Sequence, residues 1–481
     1  MTVVETCHGS VRGVQKGGVL QFRGLPFAAP PVGELRWRAP QPPAPWSGVR
    51  DGAEFGHVAP QPPPQITLLP RPPDLQSSED CLTLNVFTPG TGAGRRPVMV
   101  WIHGGAFTAG SGRNAWYNGS SFARHGVVVV TINYRLGALG FLRLPDGSNR
   151  GLLDQALALG WVKENIAAFG GDPDNVTVFG ESAGGMSVGA LMGMPGAAGL
   201  FRKAVLQSGA ASNAMTPERA ADVAERMCAK LGGLEGLRAA PAERIVEAQT
   251  EVVAESGPDM RLPFQPVVDG TVLPEPPVEA VRGGSAASVR LLTGTNRDEF
   301  TLFLAGMPGG RELTDDRLVR RLERQHPGDG RAIYDGYRAL LGARATPPDI
   351  WTAIETDRVF RVPAIRLAEA AARHSADVWM YLFTWTSPAF DGALGSCHAL
   401  EIPFVWNSLL EGTRGFTGGG REAEALAAEM HRAWIAFAEA GDPGWERYEP
   451  ARRATRIFGP GGGLANDPEA ERRALWSERV R

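Results

Sequence analysis

Cysteine is scarce: 481 residues include four, Cys7, Cys81, Cys228 and Cys397, widely scattered and without a CxxC pair. That spacing excludes a disulfide framework and argues against a thiolate zinc site, so free thiols and no metal are expected. A surplus of charge is missing as well. Lys and Arg number 49 against 52 Asp and Glu, a net charge of −3 that lacks the basic excess used to bind nucleic acid. No apolar run approaches the ~20 residues of a membrane span, and the start, MTVVETCHGSVRG, has no basic head followed by an apolar stretch. A cytoplasmic protein with no membrane partner is expected, which leaves the sequons at Asn118 and Asn175 as chance matches. Nothing resembles a linker, and a hydrophobic content of 43% supplies ample core, so residues 2–475 are taken as one domain.

What is present is an alternation of strands and helices. Thr2 to Phe22 turns at Gly17-Gly18 and reads as a small opening β-hairpin. Pro26 to Pro73 is proline-rich and without periodicity, an ordered irregular stretch in which only Pro60 to Pro73 reads as a candidate for disorder. Leu82–Phe87, Pro97–Ile102 and Val127–Tyr134 are continuously apolar, the pattern of strands covered on both faces. Further strands are expected at Lys203–Gln207, Val289–Thr293 and Val378–Trp385, with helices at Leu152–Phe169, Pro217–Leu231, Val362–His374 and Ala423–Ala440. Such alternation implies an α/β fold on a mostly parallel sheet.

The chemistry centres on NVTVFGESAGGMSVGALMGM, Asn175 to Met194. A β-branched strand runs into a small-residue turn and then a helix, with Ser182 at the tip and Gly180 and Gly184 at the G-x-S-x-G spacing. A serine on so tight a turn needs glycines two before and two after it, because a Cβ there would strike the chain folding back. The helix N-terminus behind it favours developing negative charge.

An unassisted hydroxyl is almost never ionised near neutral pH, so Ser182 needs a base, and the base an acid. In a fold of this kind acid and histidine follow the serine in that order, leaving His326, His374, His398 and His431. His374 and His431 sit within helical segments and read as surface or capping residues, and His326, in RLERQHPGDG, reads as solvated. His398, in the loop GSCHALEIPF after a strand, is the candidate base. Asp298 and Glu299 both end an earlier strand as candidate acids, and position does not separate them; Asp357, in a helical stretch, is a weaker one. The strand Pro97–Ile102 ends in HGGAF, His103 to Phe107, whose small residues let backbone N–H groups approach an oxyanion, with Ala183 behind the serine as a further donor. GTGAG at Gly90 to Gly94 precedes a strand instead of opening a helix, so it is no phosphate loop and no cofactor is expected.

Over nearly its whole length the chain resembles the type-B carboxylesterases, the α/β-hydrolase family that includes cholinesterases and bacterial p-nitrobenzyl esterases. The resemblance lies in GLPFAAPPVGELRW, SEDCLTLNVFTP, PVMVWIHGGAF, TINYRLGALGFL, GLLDQALALGWVKENIAAFGGDPDNVTVFGESAGG, LFRKAVLQSG, GTNRDEF and CHALEIPFVW. It implies an α/β-hydrolase fold, with Ser182 as nucleophile, Glu299 rather than Asp298 as acid, His398 as base, and Gly105, Ala106 and Ala183 as oxyanion donors. Two departures stand out. Cys81 matches a cysteine that many secreted relatives bridge to one a short way upstream, yet no cysteine lies between Gly9 and Asp80. The third oxyanion glycine is Ala106 here.

The resemblance implies two-step hydrolysis of small carboxylic esters by a monomer or small homo-oligomer, and its GG(G/A)X oxyanion segment implies room for tertiary-alcohol esters. An acyltransferase or specialised natural-product esterase is the alternative, and a non-catalytic binding protein, of the kind this family also contains, is opposed by the complete Ser182, Glu299 and His398 set. Phe107, Phe264 and Trp351 are candidate pocket residues. Arginine dominates over lysine, found only at positions 16, 163, 203 and 230, a coding bias of G+C-rich bacteria.

Overall fold

The computed structural model describes residues 2–63, 76–256, 262–307 and 309–477. Thirteen strands form its sheet: β1 (Thr2–Thr6), β2 (Gly9–Lys16), β3 (Val19–Pro26), β4 (Val49–Asp51), β5 (Thr83–Thr88), β6 (Arg96–Ile102), β7 (Val128–Ile132), β8 (Gly171–Glu181), β9 (Lys203–Gln207), β10 (Arg290–Asn296), β11 (Val378–Phe383), β12 (Ala454–Phe458) and β13 (Gly463–Asn466). The order across the sheet is β1-β2-β3-β5-β7-β6-β8-β9-β10-β11-β12-β13, with β4 beside β2. From β7 to β12 every pairing is parallel, while β1, β2, β3, β5 and β13 are joined antiparallel along the sheet and β4 runs parallel to β2.

The apolar runs are continuous because alternate side chains enter different cores on opposite faces. Val98, Val100 and Ile102 of β6 join one core, whereas Met99 and Trp101 join the other. In β7, Val128, Val130 and Ile132 divide from Val129 in the same way. A strand with a period of two residues and helices on both sides has no solvent face, so no position selects for polarity. Beneath the elbow, Trp101, Phe179 and Trp406 pack with ring centroids 4.7 to 5.4 Å apart, within the range of favourable aromatic pairs.

Several expectations need adjustment. The opening segment turns at Gly17-Gly18, both at positive φ, but it is three strands rather than an isolated hairpin, and β3 pairs with β5. Val19, Phe22 and Leu25 of β3 are buried at 0 to 1% exposure, and Phe22 packs on Phe169 with ring centroids 4.9 Å apart. The helix expected at Leu152–Phe169 is an α-helix over Arg150–Asn165 followed by a 3-10 turn, Ile166–Phe169, closed by Gly170 in the left-handed region. The Pro60 to Pro73 stretch lies mostly outside the described residues, from 64 onward. No helix among the described residues is long and apolar enough to cross a membrane.

Candidate active site

The C-terminal edge of the parallel strands carries the site. β8 ends at Glu181, Ser182 follows at φ 56 and ψ −126, and a helix begins at Ala183 and runs to Gly193. Positive φ is costly for a residue with a side chain, so the surrounding contacts have to hold it. Ser182 N donates to Gln207 O at 2.9 Å, tying the elbow to the end of β9. The two glycines are sterically required: a Cβ on Gly184 would lie 2.0 Å from Ile102 O, and one on Gly180 2.5 Å from the Gly184 carbonyl carbon. Ser182 is half-buried, and among the described residues its hydroxyl makes no hydrogen bond. Its Oγ therefore remains free for substrate.

His398 is brought to this edge by the loop after β11, and Glu299 by the turn after β10. His398 Nδ1 lies 2.7 Å from Glu299 Oε2, and because a carboxylate accepts, Nδ1 carries the proton. Glu299 is wholly buried, and its other oxygen accepts from Ser208 Oγ at 2.5 Å and Asn296 N at 2.7 Å. Asp298 turns elsewhere, accepting from Ser396 N at 2.8 Å and from the guanidinium of Arg297. Asp357 is buried within a π-helix, Asp357–Arg361, paired with Arg361 and Arg472. Of the other histidines, His374 is exposed, while His431 is not a surface residue: it is 1% exposed, its Nδ1 donating to Val405 O. His326 is half-buried against Trp476 and not fully solvated.

Two more buried carboxyls surround the imidazole. Glu181 Oε1 is 3.1 Å from His398 Nε2, but outside hydrogen-bond geometry, so among the described residues this oxygen has no hydrogen-bond partner. Glu401 is held by Asn296 Nδ2 at 2.7 Å and Gln207 Nε2 at 3.1 Å. Burial pushes the Glu181 carboxyl up to about 8, with His398 opposing and Glu401 and Glu299 adding to the rise. Burial also lifts Glu401 to about 7, and Glu299 reinforces it. For His398 burial acts downward, but the charge of Glu181, followed by the hydrogen bond and charge of Glu299, carries it up to about 9. The two upward shifts need opposite states of Glu181, protonated for its own and ionised for that of His398. The two groups therefore titrate as a pair.

The segment after β6 supplies backbone donors. Gly105 lies at φ 115, Ala106 at φ 54 and Phe107 at φ 60, three successive residues at positive φ. Among the described residues the N–H groups of Gly105 and Ala106 have no acceptor, and Ala183 N–H lies in the first helical turn, where no intrahelical carbonyl is available. Gly104 packs on the elbow: a Cβ there would be 3.1 Å from Ser182 Cβ. The three aromatic candidates for the pocket are core residues. Phe107 and Phe264 are 0% exposed, and Trp351 at 1% packs on Phe300 in a separate small core. The rings that do face His398 are Phe303 and Phe360, with centroids at 4.9 and 4.8 Å. Phe303 had a local signal, one helical turn beyond Glu299; Glu181, Glu401 and Ser208 had none besides their place within quoted motifs, and Phe360 had none.

A family model described as the carboxylesterase family matches residues 1–456. The para-nitrobenzyl esterase of Bacillus subtilis (strain 168) is 42% identical over 98% of this chain and 97% of that protein. The phenmedipham hydrolase of Pseudarthrobacter oxydans is 37% identical over 92% and 90%. Among solved structures, a carboxylesterase of Geobacillus stearothermophilus superposes with a TM-score of 0.90 at 41% identity, covering 99% of this chain and 100% of that one. With an elbow serine, a histidine on a buried glutamate and free N–H donors meeting at one sheet edge, and with this likeness over the full length, the chain belongs to the carboxylesterase family, as a carboxylic-ester hydrolase of the α/β-hydrolase fold.

Proposed function

We propose that Ser182, His398 and Glu299 act as nucleophile, base and acid in a two-step acyl transfer from small carboxylic esters to water. The observation that carries this reading is the 2.7 Å contact of His398 Nδ1 with Glu299, together with a half-buried elbow serine held at positive φ. His398 Nε2 takes the hydroxyl proton as Ser182 Oγ bonds to the ester carbon, and the N–H groups of Gly105, Ala106 and Ala183 stabilise the oxyanion. Collapse returns the proton to the leaving alkoxide. Water then gives its proton to His398, attacks the acyl-enzyme and releases the acid with Ser182 restored. Glu299 keeps the imidazole in the Nδ1–H tautomer and offsets its charge when Nε2 is protonated.

A single domain over 2–475 fits a family match over 1–456 and one sheet running from β1 to β13. A cytoplasmic location and a monomer or small homo-oligomer complete the reading; the former is supported by four free cysteines. Hydrolysis of p-nitrophenyl esters of graded acyl length, with intact-mass detection of the acyl-enzyme, tests it. The expected result is a mass increment of one acyl group on the peptide carrying Ser182. Turnover with the increment on another residue, or no turnover of any ester in the panel, overturns it.

A further inference from the structure

The oxyanion segment is held by a histidine that no step of the reaction uses. His103 ends β6 and is 1% exposed, with Nδ1 2.8 Å from the carbonyl oxygen of Gly104, the next residue. A carbonyl oxygen only accepts, so the proton is on Nδ1. The ring is fixed from two sides. Tyr134 stacks on it with centroids 4.6 Å apart and planes at 21°, and Tyr134 Oη donates to His103 O at 2.9 Å. Behind the Gly104 oxygen lies Gly110 at φ 111, where a Cβ would be 2.3 Å from that oxygen and 2.4 Å from His103 Nδ1. Gly110 is tied down in turn, its N–H donating to Gln61 Oε1 at 2.8 Å. Imidazole and glycine thus close on one carbonyl, leaving it a single direction.

That direction decides where a catalytic donor points. The Gly104–Gly105 peptide is trans, so its carbonyl and its N–H lie on opposite sides of one rigid plane. Locking Gly104 O against His103 turns the Gly105 N–H to the other side, and Gly104 lies close to the elbow, where a Cβ on it would be 2.7 Å from Glu181 O and 3.1 Å from Ser182 Cβ. A free diglycine would sample many orientations of this plane, since glycine loses more freedom on ordering than any other residue. We propose that His103 is a positioning residue of the oxyanion hole, its Nδ1–H bond to Gly104 O aiming the Gly105 N–H at the oxygen that becomes negative. Burial pulls the imidazole down to about 4 against the opposing backbone bond, so His103 stays neutral through the working range and supplies a dipole rather than a charge. The inference rests on the reading of Gly105 as an oxyanion donor.

The test compares His103→Leu, which removes the donor at similar bulk, with His103→Asn, whose amide nitrogen takes the place of Nδ1. Two inhibitors separate orientation from folding: a trifluoromethyl ketone, which becomes a tetrahedral oxyanion on Ser182, and an ether of the same shape, which does not. His103→Leu is expected to lower kcat about 10²-fold, the scale of one lost oxyanion donor, with KM changed less than about three-fold. Affinity for the ketone falls by the same factor and that for the ether does not, and His103→Asn recovers most of both. Unchanged kcat in His103→Leu, equal losses for both inhibitors, or no recovery in His103→Asn overturns the proposal. If the leucine variant does not fold, His103→Gln, whose amide sits one bond too far to reach Gly104 O, takes its place with the same expectations. Ser182→Ala run in parallel separates the two readings: activity retained there removes the catalytic assignment, whereas activity lost there and kept in His103→Leu removes the role of His103 alone.

Discussion

His398 Nδ1 and Glu299 Oε2 lie 2.7 Å apart although 99 residues separate them in the chain. β10 and β11 are parallel neighbours, so the turns that follow their C-terminal ends meet at one edge of the sheet. The carboxylate is then locked by Ser208 and Asn296, leaving one oxygen for the imidazole. A buried acceptor with three donors does not swing, and the ring it orients keeps a single tautomer.

Ser182→Ala is expected to lower ester hydrolysis roughly 10⁴-fold or more without unfolding the protein, because the covalent route is lost while oxyanion donors and binding remain. Initial rates with p-nitrophenyl acetate and a thermal melt check this. Near-wild-type rates in the alanine variant would remove Ser182 from the mechanism.

The two neighbouring acids are expected to behave differently. Glu299→Gln loses the anion opposite Nδ1 and is expected to cost several orders of magnitude in kcat, on the scale of about 10⁴ known for a triad acid made neutral. Asp298→Asn keeps an acceptor for Ser396 N and is expected to stay within about five-fold of wild type. Equal losses in both variants would break the assignment.

The pH profile reports on Glu181. The base works only when deprotonated, so activity rises with pH as Nε2 of His398 loses its proton. Anionic Glu181 beside Nε2 holds that proton on, which raises His398 and moves the acid limb above the ordinary imidazole range. Glu181→Gln removes the anion, so the limb of kcat/KM is expected to move to lower pH. A limb that stays in place or moves up would show that Glu181 does not govern the base.

The oxyanion segment leads to a prediction about alcohols. Among the described residues the N–H groups of Gly105 and Ala106 have no acceptor, and the side chains of Gly104-Gly105-Ala106 are small, so a quaternary carbon beside the ester oxygen is expected to be accepted. Release of tert-butanol or linalool from the acetates, followed by gas chromatography with Ser182→Ala as blank, is expected. Ala106→Val is expected to lose these substrates first and then cost roughly 10²-fold on primary esters, because a β-branched residue strains φ 54 and tilts the donor. No tertiary alcohol above the blank, with primary esters turned over readily, would refute the steric argument.

Local physics determined much of this protein from its sequence alone. Apolar runs without alternation marked the buried strands, and β9 occupies the expected Lys203–Gln207. The glycine spacing around Ser182 followed from sterics within five residues, and the structure puts 2.0 to 2.5 Å on those clashes. The family's motifs named the fold. What depended on chain segments far apart in sequence was not legible. Asp298 and Glu299 are adjacent in one turn: position alone left both open and the family resemblance pointed to Glu299, while the position of the His398 loop sets Glu299 against the imidazole and leaves Asp298 to cap Ser396. His431 is polar and looked like a surface residue in its helix, yet Ser121 and Val405 arrive from other elements to cover it. Phe303 and Phe360 come to the two sides of His398 from different helical segments, while Phe107, Phe264 and Trp351 went to the cores. Periodicity and turn sterics act over a few residues and can be read in order; which side chains share a site depends on how β8, β10 and β11 lie side by side, and that is decided by packing across the whole sheet.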